Sequence, residues 1–110
     1  MAHNYKNAKA DLTATTATTL YTCPSATTAI VKSILVSEDS GNADTITVTL
    51  TDSSAAVFSL FKTKAVGANA TTEFLTNDLI LRSGEILKVT AANANRLHVV
   101  ISILEFAQWR

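Results

Sequence analysis

The chain predicts an all-β fold, a single antiparallel β-sandwich of jelly-roll-like form. Three observations carry this. Residues 45–51 read Thr-Ile-Thr-Val-Thr-Leu-Thr, an alternation of period two that fits a half-buried strand with Ile46, Val48 and Leu50 inward. Short strand-prone runs are separated by turn residues at intervals of roughly ten positions, the spacing of a sandwich or jelly roll. No stretch keeps a helical period over three turns.

Taken in order, residues 1–11 form a polar lead with Tyr5, Lys6 and Lys9 and no clear period. It reads as an extended arm or a loosely paired strand. Its apolar surface is too small to fold unaided, so residues 1–12 are expected to order only against a partner, leaving 13–110 as the sandwich domain. Residues 13–22 are Thr-rich and read as an edge strand ended by Pro24, which cannot donate to a ladder. Residues 28–38 are apolar on both faces, with Ile30, Ile34 and Val36 on one and Val31 and Leu35 on the other. Such a strand is central, or lays its second face in an interface. A turn at 38–44 precedes the alternating strand, and Asp52, Ser53 and Ser54 turn the chain after it.

Residues 55–66 carry Val57, Phe58, Leu60, Phe61 and Val66, with Lys62 and Lys64 near the end. Short strands follow at 71–75 and 79–82. Ser83 and Gly84 make a tight turn into 85–91, where Leu87, Val89 and Ala91 share a face. Residues 96–106 close the fold, with Leu97, Val99, Ile101 and Ile103 on one face and Val100, Leu104 and Phe106 on the other. The run 99–104 is strongly β-prone. Exposed as an edge it would invite aggregation, so it belongs mid-sheet or under another subunit.

Composition narrows function. The net charge is zero, which argues against nucleic-acid binding, because that affinity comes largely from Lys and Arg on phosphates. Only 16% of residues are charged, and a nearly uncharged surface favours association. The first residues resemble neither a signal peptide nor a membrane span, so no membrane role is expected. One cysteine, Cys23, allows no intrachain disulfide and points to a reducing cytosol; it reads as a semi-buried filler before Pro24. Outside a secretory route the sequon at Asn69, Ala70 and Thr71 is idle.

No catalytic constellation is legible. His3 reads as solvated, and His98 as a strand residue on the outward face. No Ser or Cys stands in a nucleophile motif, and three glycines make no phosphate loop. Glu38, Asp39 and Asp44, with Asn42, lack the spacing of a calcium loop and read as a solvated turn. No catalytic, cofactor or metal residue is therefore assigned. Tyr5, Tyr21, His98 and Trp109 are the candidate interface residues; for Trp109 and Tyr5 the ground is that an aromatic side chain near an end of the sequence docks into a neighbour or packs back on its own domain.

Four segments carry a resemblance: residues 18–24 (Thr-Thr-Leu-Tyr-Thr-Cys-Pro), 28–36, 79–89 and 100–106. The pattern, which spans about residues 13–106, resembles the small β-sandwich virion proteins of tailed bacteriophages. The resemblance implies a capsid cement or decoration protein. Such a protein forms a homo-oligomer, commonly a trimer, on the outer shell of the virion and clamps neighbouring subunits of the major capsid protein, after assembly in the host cytoplasm. The rival expectation is a tail or head-fibre component that binds a receptor or carbohydrate, for which Tyr5, Tyr21 and Trp109 are the available sugar platforms.

Overall fold

The structure, a computed structural model, describes residues 2–107. Among them lie nine strands and no helix: β1 (Ala2–Asp11), β2 (Thr18–Thr22), β3 (Thr27–Glu38), β4 (Asp44–Thr51), β5 (Val57–Val66), β6 (Thr71–Glu73), β7 (Leu79–Leu81), β8 (Ile86–Ala91) and β9 (Leu97–Ala107). One sheet has the order β1-β9-β3-β6, with β7 also on β3; the other has the order β2-β8-β4-β5. All pairings are antiparallel. First strand pairs with last, second with second-last, β3 with β6 and β7, and β4 with β5. That is a long hairpin rolled up on itself, the jelly-roll arrangement.

The alternations seen in the sequence are the core. Ile46 and Val48 of β4, Leu87, Val89 and Ala91 of β8, and Leu97, Val99, Ile101 and Ile103 of β9 are buried between the sheets. Leu50 is half-buried at the margin of the same cluster. Strand β9 lies between β1 and β3, so its sticky run is covered on both edges.

Strand β3 departs from the simple reading. Its inward residues are Ala29, Val31, Ile34 and Val36, while Ile30 and Leu35 face out. The cause is a β-bulge: Val31 pairs with Ile103 and Ser33 with Ser102, so Lys32 is an extra residue. One extra residue reverses the alternation, which moves Ile30 away from the face it was expected to share with Ile34 and Val36. The bulge also divides the outer edge of β3. Strand β7 pairs with Ala29–Val31 and β6 with Leu35–Ser37. Between them the Glu73 carboxylate accepts the Ile34 N–H at 2.7 Å, the Leu75 N–H at 3.1 Å and the Ser33 hydroxyl. Burial raises the pKa of this carboxyl, but these three donors outweigh burial and lower it below the ordinary value.

Residues 13–17 are not part of β2, despite their threonines. The chain must cross there from one sheet to the other, and a crossing segment cannot stay in a ladder. The polar lead is β1, paired with β9 from Ala2 opposite Ala107 to Asp11 opposite His98. Its polarity fits its place at a sheet edge, where most of its side chains are exposed.

The turn at 38–44 is not simply solvated. Glu38 and Asp44 are buried, 1% and 5% exposed, because their carboxylates hold the loops together. Glu38 accepts the N–H groups of Ser40 (2.9 Å), Gly41 (3.1 Å) and Asn69 (3.0 Å), and the Ser40 hydroxyl. Asp44 accepts the N–H groups of Thr45 at 2.8 Å and Asn93 at 3.1 Å, and the Asn93 side-chain amide at 3.0 Å. The N–H groups of Ser40, Gly41, Asn69 and Asn93 lie in loops outside the strands, so an acidic side chain is the cheapest acceptor in reach. Gly84 turns β7 into β8 at φ +82°, a conformation that a side chain would strain.

Candidate functional site

The feature that stands out is the outward face of the β1-β9-β3 sheet. Residues opposite one another on antiparallel strands point to the same side, so the register defines rungs across the sheet. One rung runs Tyr5 (β1), Leu104 (β9), Ile30 (β3) and Ile80 (β7). Tyr5 is 76% exposed and Ile80 50%, while Leu104 and Ile30 are half-buried by their neighbours alone. A second rung joins His3, Phe106 and Thr28, with the His3 ring edge-on to Phe106 at 4.7 Å. Asn7, Ser102 and Ser33 form the next rung. Beyond it lie Lys9, Val100, Leu35 and Glu73, with Val100 and Leu35 both over a third exposed.

The outer ends of this face carry the charge. His98 Nε2 lies 3.2 Å from Asp11 and Nδ1 3.6 Å from Asp39, so the ring bridges the end of β1 and the loop after β3. On another margin Lys32 meets Asp78 at 3.2 Å. The central strands carry mostly apolar and small polar groups in these rungs, with Lys9 and Glu73 on the outer strands, the composition of an interface centre with a charged rim. Both faces of β3 and β9 are thus apolar for different reasons: one fills the core and the other stays open to contact.

Of the four candidate interface residues, Tyr5 and His98 stand on this face. Trp109 lies outside the described residues. Tyr21 is corrected: it is 8% exposed and belongs to the core, where its hydroxyl donates to Glu105. Its ring packs among the core residues between the sheets, so it is open neither to a partner nor to a sugar. Burial first, and then the Glu105 carboxylate, push the Tyr21 phenol above its ordinary pKa. Glu105 was missed by the sequence reading. It continues the inward series of β9, and Lys6 on β1 lies 3.5 Å from it. An acid in a core alternation, with a basic residue available on the pairing strand, was the signal that could have revealed it.

Cys23 is fully buried, its thiol directed at the carbonyls of Thr27 (3.4 Å) and Leu81 (3.6 Å). Burial pushes this thiol up, which keeps it protonated and unreactive. A polar cleft lined by Thr27, Thr28, Ser53, Arg82, Ser83 and Glu85 opens at one end of the sandwich. Two of its side chains serve the turn: Ser83 bonds the Thr27 N–H and carbonyl, and Glu85 accepts the Arg82 N–H. Among the described residues no three His, Cys, Asp or Glu side chains converge as metal ligands. No protein-family model matches the chain, and no curated protein matches it.

Proposed function

We propose that this chain is a non-enzymatic structural protein of a tailed-phage virion. It acts as a capsid cement protein, seated as a homo-oligomer, a trimer, on the outer shell, where it clamps neighbouring major capsid subunits. The observation that carries the reading is the apolar rung Tyr5, Leu104, Ile30 and Ile80, laid across four strands of an outward sheet face. A face of this kind recognises another protein surface by shape and apolar contact. Its low charge suits neither nucleic acid nor an anionic membrane. Fold-level analogy adds a little, since jelly rolls recur in capsid proteins, and also in lectins. Seating many copies on a symmetric lattice lets a modest face hold tightly, because each oligomer binds through several equivalent contacts.

The test is co-sedimentation with phage heads assembled without this chain. The protein is expected to pellet with them and to raise their resistance to heat. Tyr5→Ser with Ile80→Ser should weaken seating while leaving the fold intact, since both side chains are exposed. A fully buried apolar side chain contributes about 1.5–3 kcal/mol, so the double variant should bind at least about tenfold more weakly. Failure to bind heads, with head stability unchanged by deletion, refutes the cement role. Recovery of the protein on tails or fibres of purified particles would favour the fibre role instead.

A further inference from the structure

We propose that β1 is an exchangeable strand, which in the assembled form lies on β9 of a second copy of this chain in the register it holds within one copy. The inward positions of β1 carry Asn4, Lys6, Ala8 and Ala10, opposite Glu105, Ile103, Ile101 and Val99. Where the other long strands bury Val, Ile and Leu, β1 offers small or polar groups, and from His3 to Asp11 only Ala8 and Ala10 are even half-buried. No large side chain nails the strand down. It is held by its ladder to β9, by the His3 ring edge-on to Phe106, by the ion pair of Lys6 with Glu105 at 3.5 Å, and by the Asp11 carboxylate 3.2 Å from the His98 ring.

The anchor of the chain comes one residue later. Leu12 is 1% exposed, its N–H donates to the Leu97 carbonyl at 3.0 Å, and its carbonyl accepts the Asn95 N–H at 2.8 Å. Strand β1 can therefore swing about the Asp11–Leu12 junction without disturbing a core side chain. A vacated β9 edge would expose its β-prone run, so it must be refilled. The groups that recognise β1 belong to β9 of this same sequence: Glu105 takes Lys6, and His98 takes Asp11. The Lys6–Glu105 charge pair and the Asp11–His98 contact together select the β1 of a second copy over a foreign strand. Exchange remakes every contact of the closed form and alters only the hinge, which makes it a low-cost route to an oligomer. Each copy's apolar rung is then completed by the Tyr5 of its neighbour, so the face is whole only in the assembly. The inference does not rest on the capsid reading.

Asn7 and Ser102 are direct opposites on the outward face and report the exchange. Asn7→Cys protein and Ser102→Cys protein are mixed, unfolded, refolded together at high concentration and oxidised. The expected product is a covalent dimer whose peptide map joins positions 7 and 102. The Asn7→Cys, Ser102→Cys double variant should give covalent multimers under non-reducing denaturing conditions. An intrachain-linked monomer as the only product of the double variant, with no 7–102 link in the mixture, overturns the proposal. Absence of any 7–102 link in either sample also overturns it, because β1 would then not occupy β9. Either result leaves binding to heads to be judged by its own assay.

Discussion

Replacing Tyr21 by Phe removes one oxygen and isolates one buried acid. Tyr21 and Glu105 are 8% and 9% exposed, and the phenol is the nearest donor to the carboxylate. A hydrogen bond to a charged group contributes about 1.5–3 kcal/mol, and the loss is felt most when the remaining partner is buried. Lys6 stays within 3.5 Å of the same oxygen, but its side chain is 42% exposed, so water weakens its hold. The expected cost of Tyr21→Phe is therefore about 2 kcal/mol, or roughly 10 °C in melting temperature for a domain of this size. Urea unfolding at neutral pH measures it, with the midpoint lowered and the slope unchanged. In a Glu105→Ala background the same substitution should cost less than about 0.5 kcal/mol, because the partner is gone. A loss under about 0.5 kcal/mol in the wild-type background, or an equal loss in both, would refute the coupling. Alkaline unfolding gives a second view. The phenol is raised above its ordinary 10.0, so the unfolded chain releases this proton first. Stability is intact below that value and falls as pH rises past it, a slope that Tyr21→Phe should reduce.

At the acid end, desolvation raises the Glu38 carboxyl, but hydrogen bonds from Ser40, Asn69 and Gly41 outweigh it and bring the pKa from 4.5 down to about 2. Its contribution is present above 4.5 and is lost as pH falls toward 2, so urea midpoints should drop through that window and drop less in Glu38→Gln. Ile101 is fully buried at the centre of β9, and Ile101→Ala should cost about 2–5 kcal/mol by chemical denaturation, a loss that leaves much less stability than a typical domain has. The Cys23 thiol should resist an aromatic disulfide reagent in native buffer and react at once in denaturant; fast native labelling would contradict its burial.

Strands β4, β8 and β9 were legible because each has one inward face and keeps strict alternation. Strand β3 was legible as a strand but not by face, since a bulge at Lys32 depends on what the neighbouring strands supply, here the Glu73 carboxylate. The acids Glu38 and Asp44 looked like surface residues because composition does not reveal which loops will meet across the sandwich. Tyr21 was misassigned for a related reason: its partner is 84 residues away. His98 is placed on the outward face by the clean alternation of β9, and Tyr5 stands out as an aromatic side chain near the start of the sequence, yet the rung that joins Tyr5 to Ile80 needed the register of four strands. The polar lead was hardest. Little in its side chains calls for burial, and what places it on β9 is the backbone ladder together with the Lys6–Glu105 and Asp11–His98 contacts, whose partners lie far along the sequence.

The bulge in β3 also shapes how this chain can change over time. Within a regular strand, loss of one residue turns everything on one side of the gap inside out, and selection removes such variants. Lys32 is surplus to the pairing, so a chain without it could run from Val31 directly to Ser33 with every other residue of β3 still facing as before. The strand thus carries its own tolerance for a length change, at the one place where its edge is already divided between β6 and β7. Related sequences are expected to differ in length at that point, while the residues on either side hold their faces.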